Sequence, residues 1–269
     1  MSASNRTLIA KLSRASQGGI ITVLRAASIM EVPRRKAALK LAALARQGWL
    51  SRARRGMYLI VPLEVEPGQQ TIAEDPWVLA RQAFSPCYIG GWSAAEHWGL
   101  TEQLFRSTLV VTATHVRQRS RSLLGHAFLL FKVSPSRITG KGITLVWRGA
   151  ERVSVSNAER TIVDCLRNPR LCGGIRNLAD LMREYDERED KRFDLLLREA
   201  QHAASGAAWK RLGFLAELLW PNSPDITSTA KKHLTEGNIH LDPAVRRRGK
   251  LATRWRLWVN IPIPLDSGA

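Results

Sequence analysis

The segment VPRRKAALKLAALARQGWLSRARRGMYLIV, residues 32–61, constrains the fold of this chain more than any other part of the sequence. Pro33 suits the first position of a helix, where its missing N–H group costs nothing. The helix is predicted to run to Gln47 and to end at Gly48, which adopts the left-handed conformation easily. The residues after it read as two short strands that turn near Arg55. A basic helix that leads directly into a basic hairpin needs further helices to cover their apolar sides.

The residues before this segment supply those helices. Residues 5–15 carry apolar side chains at helical spacing, and a pair of glycines ends that helix. The stretch GIIT is typical of a short strand, with Thr22 placed as the N-cap of a second helix, VLRAASIM. In that second helix Leu24, Ala27 and Met30 are predicted to face inward. The order helix, strand, helix, tight turn, helix, hairpin is that of a winged helix-turn-helix.

The third predicted helix has an apolar side and a basic side. At 100° per residue the small and apolar residues fall together, and polar residues fall opposite them. The predicted core side consists of Ala37, Ala38, Leu41, Leu44 and Ala45; the opposite side consists of Lys36, Lys40, Ala43 and Gln47, flanked by Arg35 and Arg46. A helix with this basic face fits the major groove of DNA, while its small core residues allow close packing against two partner helices.

The net charge of +18 is concentrated at the two ends of the chain. Residues 1–63 hold twelve lysines and arginines against Glu31 alone, and residues 243–265 hold six against no acid. The rest of the chain is close to neutral, at +1. Nucleic acid is the commonest polyanionic partner of such basic segments. The simpler alternative is that these cations belong to an ordinary solvated surface and bind no partner.

The third helix and the hairpin provide the candidate DNA-binding residues, and double-stranded DNA is the expected partner. We expect the helix cations to lie at or near the groove, and the hairpin arginines to contact backbone phosphates or the minor groove. The first set is Arg34, Arg35, Lys36 and Lys40, and the second is Arg52, Arg54 and Arg55. A further expectation assigns additional basic contacts to a C-terminal cluster of Arg246, Arg247, Arg248 and Lys250.

Residues 67–269 are predicted to form a larger mixed α+β domain after a winged helix of residues 1–66. The segment between them, VEPGQQTIAED, is rich in proline, glycine and glutamine, as linkers are. Helices and strands both follow it, so the chain as a whole is expected to belong to the α+β class.

Several elements of this larger domain have local signals. Asp75 and Pro76 predict a capped helix, and Ser93 predicts the capping box of another. The strands are expected at STLVVTA, HAFLLFKV, GITLVWR and RVSVS, and near the C-terminus at WRLWVNI. Asn157 is placed to cap AERTIVDCL, and amphipathic helices dominate residues 175–219.

Signatures of an enzyme are weak. GGWS, ending at Ser93, resembles the opening of nucleotidyltransferases, but no Asp-x-Asp follows and Ser93 is explained as a helix cap. EDK at Glu189–Lys191 matches half of a nuclease motif, yet it lies in a charged, helical stretch and reads as solvated surface. The six histidines lack zinc-ligand spacing, and no phosphate loop or nucleophile elbow occurs. We therefore expect no enzyme activity, no catalytic residue, no metal and no cofactor.

The chain is expected to act in the cytoplasm. It contains no run of eighteen apolar residues, so no membrane span is expected. Its first residues lack the apolar core of a signal peptide. The cysteines, Cys87, Cys165 and Cys172, form no C-x-x-C pair and are expected to be reduced and buried.

The residues from Gly19 onward resemble the AbiEi-type antitoxins of bacterial type IV toxin–antitoxin systems. The shared pattern is a glycine–apolar–threonine entry, an alanine-rich second helix, a basic third helix, Gly-x-Leu and an Arg-Gly-x-Tyr hairpin. This chain has each part: Gly19 to Thr22, Ala26 and Ala27, Arg34 to Lys40, Gly48 with Leu50, and Arg55 to Tyr58. YIGGWSAAEHWGL, VSVSNAERTIVDCL and RWRLWVNIP carry the resemblance along the chain. Pro33 departs from the pattern, because a small polar cap is expected there.

The resemblance implies a function that the charge pattern alone does not. Members of the family repress their own operon by binding inverted repeats in its promoter through the winged helix. They counteract a nucleotidyltransferase-like toxin through the C-terminal domain, without a stable complex. We therefore expect a DNA-binding antitoxin and autorepressor. The alternatives are a plain winged-helix transcriptional regulator with a ligand- or dimer-forming C-terminal domain, and a nucleic-acid-processing enzyme such as a nuclease.

Overall fold

The computed structural model describes residues 3–61, 75–203, 205–246 and 249–264. Contacts divide the chain into two compact units. The first unit holds residues 1–88, 106–138 and 145–154, and the second holds residues 89–105, 139–144 and 155–269. The predicted domain boundary between residues 66 and 67 falls outside the described residues and stays a prediction.

The N-terminal part of the first unit is a winged helix, as the sequence predicts. Its elements are α1 (Ala3–Ala15), β1 (Ile20–Thr22), α2 (Val23–Met30), α3 (Arg34–Arg46), β2 (Leu50–Arg54) and β3 (Met57–Ile60). The strands form an antiparallel sheet of order β1-β3-β2, so β3 joins the hairpin to the strand that precedes α2. Leu12, Ile21, Leu41, Leu44 and Tyr58 lie in its apolar core.

Local signals explain where these helices begin and end. Thr22 caps α2, since its hydroxyl accepts the N–H of Arg25 at 3.3 Å. Gly48 follows α3 with a φ of +82°, the left-handed conformation that stops a helix. Pro33 lies one residue before α3, at the N-cap, and its carbonyl accepts the N–H of Ala37. The predicted start of the helix at Pro33 is therefore wrong by one residue.

Leu24 does not face inward, contrary to the prediction, because its side chain is 62% exposed. Val23, Ala26, Ala27 and Met30 pack toward the core at the i, i+3, i+4, i+7 spacing of one helix face. Leu24 lies about 100° from that stripe, since one residue turns a helix by this angle. The apolar character of Leu24 misled the sequence-based prediction.

A six-stranded mixed sheet follows along the chain. Its strands are β4 (Cys87–Ile89), β5 (Ser107–Thr112), β6 (Ser120–Leu123), β7 (His126–Lys132), β8 (Ile143–Arg148) and β9 (Glu151–Ser156). The hydrogen-bonded order is β6-β7-β5-β4-β9-β8, with β5 parallel and β6 antiparallel to β7. Strands β5, β7, β8 and β9 confirm the prediction. The sequence misses β4, which is only three residues long, and β6, which is mostly polar.

The two predicted caps after the linker have different outcomes. Asp75 caps α4 (Pro76–Phe84) as expected and accepts the N–H of Trp77 at 2.7 Å. Ser93 does not begin a helix, because α5 spans Gly91–His97 and Gly90 is its N-cap. The extended conformation of that glycine lets the chain enter the helix early, which leaves Ser93 buried inside it.

The second unit is mainly helical. In addition to α5 it contains α6 (Ala158–Arg167), α7 (Ile175–Asp186), α8 (Phe193–Ala203), α9 (Gly206–Leu219) and α10 (Pro224–Lys232), and a small sheet of β10 (Ile239–His240), β11 (Lys250–Ala252) and β12 (Leu257–Val259). Asn157 caps α6 as predicted, and the expected terminal strand is β12, which lies between β10 and β11. The mixed α+β class is confirmed.

The cysteines are free and buried, as expected from their sequence positions. Burial raises the pKa of the Cys87 thiol to about 11, because the thiolate loses solvation. Among the described residues, no helix is both long enough and apolar enough to cross a membrane.

Candidate nucleic-acid interface

The first turn of α3 gathers cations where a helix ordinarily disfavours them. Arg34, Arg35 and Lys36 are exposed and form no ion pair with any described residue. The turn has no acidic residue, and no side chain caps it. Its N–H groups and the helix dipole already make this end partly positive, so three cations there cost local stability. The same arrangement suits an anion, which points to phosphate binding.

The centre of the exposed face of α3 is an apolar side chain. Ala37, Leu41 and Leu44 form the buried stripe, each no more than 1% exposed. Leu39 lies opposite that stripe and is 65% exposed, beside the exposed Arg46. Because this direction points away from the winged-helix core, Leu39 is placed where a groove-bound helix would meet base edges.

Lys40 lies at the edge of this face, against α1. Its Nζ donates to Asn5 Oδ1 at 3.0 Å, and Asn5 Nδ2 donates to Gln47 Oε1 at 3.3 Å. The side chain of Lys40 is exposed, but it turns toward α1 and not toward the middle of the face opposite the buried stripe. Bound DNA would have to compete with Asn5 for this ammonium group.

The hairpin, which we call the wing (residues 50–60), presents the second set of cations. Its turn lies at Arg55 and Gly56, where Gly56 has the φ of +80° that this tight turn requires. Val23 N–H donates to the Gly56 carbonyl at 3.0 Å and so holds the turn near the start of α2. Arg52, Arg54 and Arg55 are exposed, and none pairs with an acidic residue of the described chain.

A cleft of about 430 Å³ adjoins the wing, and all of its lining residues belong to the first unit. Its walls come from β2, the end of α4, residues 114–118 and the strand β6. Arg54 lines this cleft, and partial loss of solvent lowers the pKa of its guanidinium. The group remains a cation at neutral pH, because an arginine pKa starts far above that range.

The C-terminal cluster is only partly within the described residues. Arg246 and Lys250 are exposed and belong to the second unit. Arg247 and Arg248 lie outside the described residues. The expected contribution of the four residues to DNA contact stays a prediction.

Comparison with known proteins identifies the N-terminal part of the chain. Residues 10–61 match the family described as "Transcriptional regulator, AbiEi antitoxin". The winged helix is therefore similar to that of the AbiEi antitoxins. The resemblance predicted from Gly19 to Tyr58 is thereby confirmed.

The chain as a whole, including the AbiEi-type winged helix, is similar in fold to a solved structure. The RV2827C protein from Mycobacterium tuberculosis, known from a crystal structure, is 17% identical in sequence and superposes with a TM-score of 0.55. The match covers 96% of this chain and 91% of that chain. At this level of identity it shows a common fold only. No curated protein sequence matches the chain.

Outside the winged helix, the sequence contains a further basic segment. The near-zero net charge of the central part of the chain does not reveal it. Residues 103–150 contain no Asp or Glu but hold eight cations: Arg106, Arg117, Arg119, Arg121, Lys132, Arg137, Lys141 and Arg148. Acidic residues on both sides bring the average of the chain body near neutrality, so the net charge did not reveal it. Arg117, Arg119 and Arg121 are exposed in or just before β6, which is an edge strand. A search for acid-free runs would have found them.

Charged groups of the second unit have structural explanations. Arg160 Nε donates to Asp164 Oδ2 at 3.0 Å, and Arg160 Nη1 donates to Glu199 Oε2 at 3.4 Å, which joins α6 to α8 through a buried network. Glu189 and Lys191 are exposed, as expected, but lie in the turn between α7 and α8 rather than in a helix. Across the described part of the chain, no cluster of three or more His, Cys, Asp or Glu residues could hold a metal ion.

Proposed function

We propose that this chain is a DNA-binding antitoxin. It represses its own operon through the winged helix and counteracts a nucleotidyltransferase-like toxin through residues 67–269. The observation that carries the proposal is the set of exposed cations on α3 and the wing, which no described acid neutralises, in a segment that matches the AbiEi family. Such cations repel one another in the free protein, and a bound polyanion relieves that repulsion.

The exposed residues suggest how the winged helix would read its site. We assign α3 to the major groove, with Arg34 and Lys36 near phosphates, and Arg35 and Leu39 near base edges. Lys40 would contact the groove wall beside α1. Arg52, Arg54 and Arg55 of the wing are assigned to the flanking backbone and complete the proposed interface.

The proposed target is double-stranded DNA that carries inverted repeats in the protein's own promoter. One winged helix would occupy each half of a repeat, because a repeat presents two equivalent half-sites. Acting on this promoter would place the protein in the cytoplasm.

The toxin-directed part of the proposal rests on the family resemblance. A nucleotidyltransferase-like toxin is the functional partner, and a stable complex with it is not expected. No residue is assigned a catalytic role, and no metal or cofactor is required, so the proposed antitoxin is not an enzyme.

The test separates DNA binding from toxin neutralisation by substitution in the full-length chain. Replacing Arg34, Arg35 and Lys36 together with alanine should abolish protection of the chain's own promoter in footprinting. The same variant should still rescue cells that express the toxin encoded beside it. A matched control removes three exposed cations of the second unit, Arg198, Lys231 and Lys232, and should keep both activities. Loss of rescue by the first variant, at normal abundance and melting temperature, would contradict this division of labour.

Substitution is a sharper test than cutting the chain between residues 66 and 67. Residues 75–88 belong to the same compact unit as the winged helix. Arg81 Nη2 donates to Gln17 Oε1 at 3.2 Å, and a Cβ on Gly18 would lie 2.8 Å from Val78 Cγ1. A cut would expose this close contact, so failure of the fragment to rescue could report lost folding instead of lost function.

A plain transcriptional regulator is the second candidate, because the family match ends at residue 61. Under this alternative, residues 67–269 bind a ligand or form a dimer, and no toxin is neutralised. A neighbouring gene for a nucleotidyltransferase-like toxin, with rescue of cells that express it, supports the antitoxin. Promoter protection without any rescue supports the regulator.

A further inference from the structure

The cleft beside the wing has the lining of an anion site. Four of its lining residues carry side-chain N–H groups that can donate hydrogen bonds to an anion: Arg54, His115, Gln118 and Arg121. Among the described residues, none of those that line the cleft is acidic. Its outer wall, formed by β6 and the residues before it, lies within the acid-free segment 103–150.

The two arginines that the described part of the cleft contains come from different walls. Arg54 comes from β2 of the wing, and Arg121 comes from the edge strand β6. Neither forms an ion pair with a described residue. The walls exclude solvent enough to lower the pKa of Arg54, so this charge is less well hydrated than one on an open surface. An anion bound in the cleft would offset this loss of hydration.

The position of Arg121 is set by packed neighbours. It lies opposite Phe128 in the register of β6 and β7, so the two side chains are on the same face of the sheet. The Phe128 ring meets the ring of Phe84 from α4 edge-on, with centroids 5.4 Å apart. Phe84 also lines the cleft. A strand and a helix therefore hold in place the wall of the cleft from which Arg121 projects.

We propose that this cleft binds a phosphate group and that the backbone of bound DNA supplies it. The inference rests on the proposed function, because Arg54 directly precedes the wing-tip residue Arg55, which is assigned to the same backbone. Guanidinium groups bind phosphate oxygens through paired N–H donors. The DNA interface thus extends from the winged helix onto the edge strand β6.

The test measures binding of full-length protein to its promoter and to a random duplex of equal length at several salt concentrations. Arg121→Ala should weaken both complexes by a similar factor of roughly ten, the loss expected for one charged hydrogen-bond partner. The double variant Arg54→Ala/Arg121→Ala should lower the slope of log affinity against log salt by about 0.9, the value for one phosphate. If the slope instead falls by roughly 1.8, the two arginines contact two separate phosphates, which would overturn the shared site.

Two further variants control for charge and folding. Arg119→Ala removes the same charge two residues earlier; Arg119 is exposed, lies 5.8 Å from the centre of the Phe131 ring and does not line the cleft. Its effect on affinity should be much smaller than that of Arg121→Ala. Arg121→Lys keeps the charge and should retain most of the salt slope. If Arg119→Ala and Arg121→Ala reduce DNA affinity equally, the arginines form a diffuse basic surface and not a defined site, which would contradict the proposal.

The source of the phosphate is tested with inorganic phosphate and thymidine 5′-monophosphate in the absence of DNA. We expect millimolar or weaker binding of both by calorimetry. Tight binding of either, lost in Arg121→Ala while DNA affinity stays unchanged, would assign the cleft to a small ligand and overturn the DNA source. If wild-type protein binds no promoter DNA, the proposed function itself fails. If it binds and Arg121→Ala changes nothing, only this inference fails.

Discussion

Arg55 is the residue best placed to test backbone contact by the wing. It is exposed at the turn and pairs with no described acid. Arg55→Ala should weaken binding to promoter and random DNA alike, and should lower the salt slope by about 0.9, since one phosphate contact is lost. The matched control Lys232→Ala removes an exposed cation of α10 and should leave the slope unchanged. Equal slopes for wild type and Arg55→Ala would remove the wing tip from the interface.

Leu39 should contribute more to sequence preference than Lys40. Leu39→Ala is expected to reduce the promoter's advantage over random DNA by about 1 kcal/mol, because it removes an apolar contact with a thymine methyl group. Lys40→Ala should reduce that advantage less, since Asn5 holds the ammonium group at 3.0 Å. The measurement is competition binding with promoters in which single thymines are replaced by uracil.

The wild type should lose affinity at one or two uracil positions, and Leu39→Ala should be insensitive to the same replacements. Leu24→Ala provides the control, because it removes an equally exposed leucine from α2. Uracil sensitivity that persists in Leu39→Ala would assign the methyl contact to another residue.

At the scale of an element, helix α3 has a buried stripe and an exposed face. Two leucines, one on each side, allow the contribution of each side to stability to be measured separately. Leu41 is fully buried in the winged-helix core, so Leu41→Ala should lower the free energy of unfolding by about 2–5 kcal/mol. Leu39→Ala should leave it nearly unchanged, since that side chain already contacts solvent. Urea unfolding of both variants checks this. A cost for Leu39→Ala as large as that for Leu41→Ala would place Leu39 inside a packed interface.

Elements with a capping residue could be predicted from sequence, and elements without local signals could not. Thr22 and Asn157 each accept a backbone N–H at the start of a helix, as their positions predict. Strand β6 has no alternation of apolar and polar residues, because it is an edge strand with exposed side chains. Its pairing with β7 decides that it is a strand, and pairing is a tertiary property.

At the scale of the whole molecule, Arg211 joins distant parts of the second unit. Its guanidinium donates to the carbonyls of Leu166 at 2.9 Å, Leu241 at 2.8 Å and His240 at 3.1 Å. Burial lowers its pKa to about 10, so the group still carries its charge at neutral pH. Arg211→Met should therefore lower the free energy of unfolding by about 3–5 kcal/mol, because the buried carbonyls lose their donor.

Urea unfolding checks this prediction, with Arg198→Met as the control. Arg198 is exposed and its partner Asp194 is also exposed, so this change should have little effect on stability. At temperatures where Arg211→Met is still folded, its DNA affinity should equal that of the wild type, since the proposed interface lies in the first unit. Lost DNA affinity in a folded Arg211→Met variant would show that the second unit takes part in binding.

Sequence by itself determined the winged helix, the α+β class and most of the candidate DNA-contacting cations. Helix caps, glycine stops and apolar periodicity act between residues a few positions apart, so they can be read along the chain. Only the tertiary structure decided that Lys40 turns toward Asn5, that Leu39 occupies the centre of the exposed face, and that Arg121 lines the same cleft as Arg54. These outcomes depend on which surfaces pack together over long separations in sequence, and periodicity within one element carries no information about its neighbours.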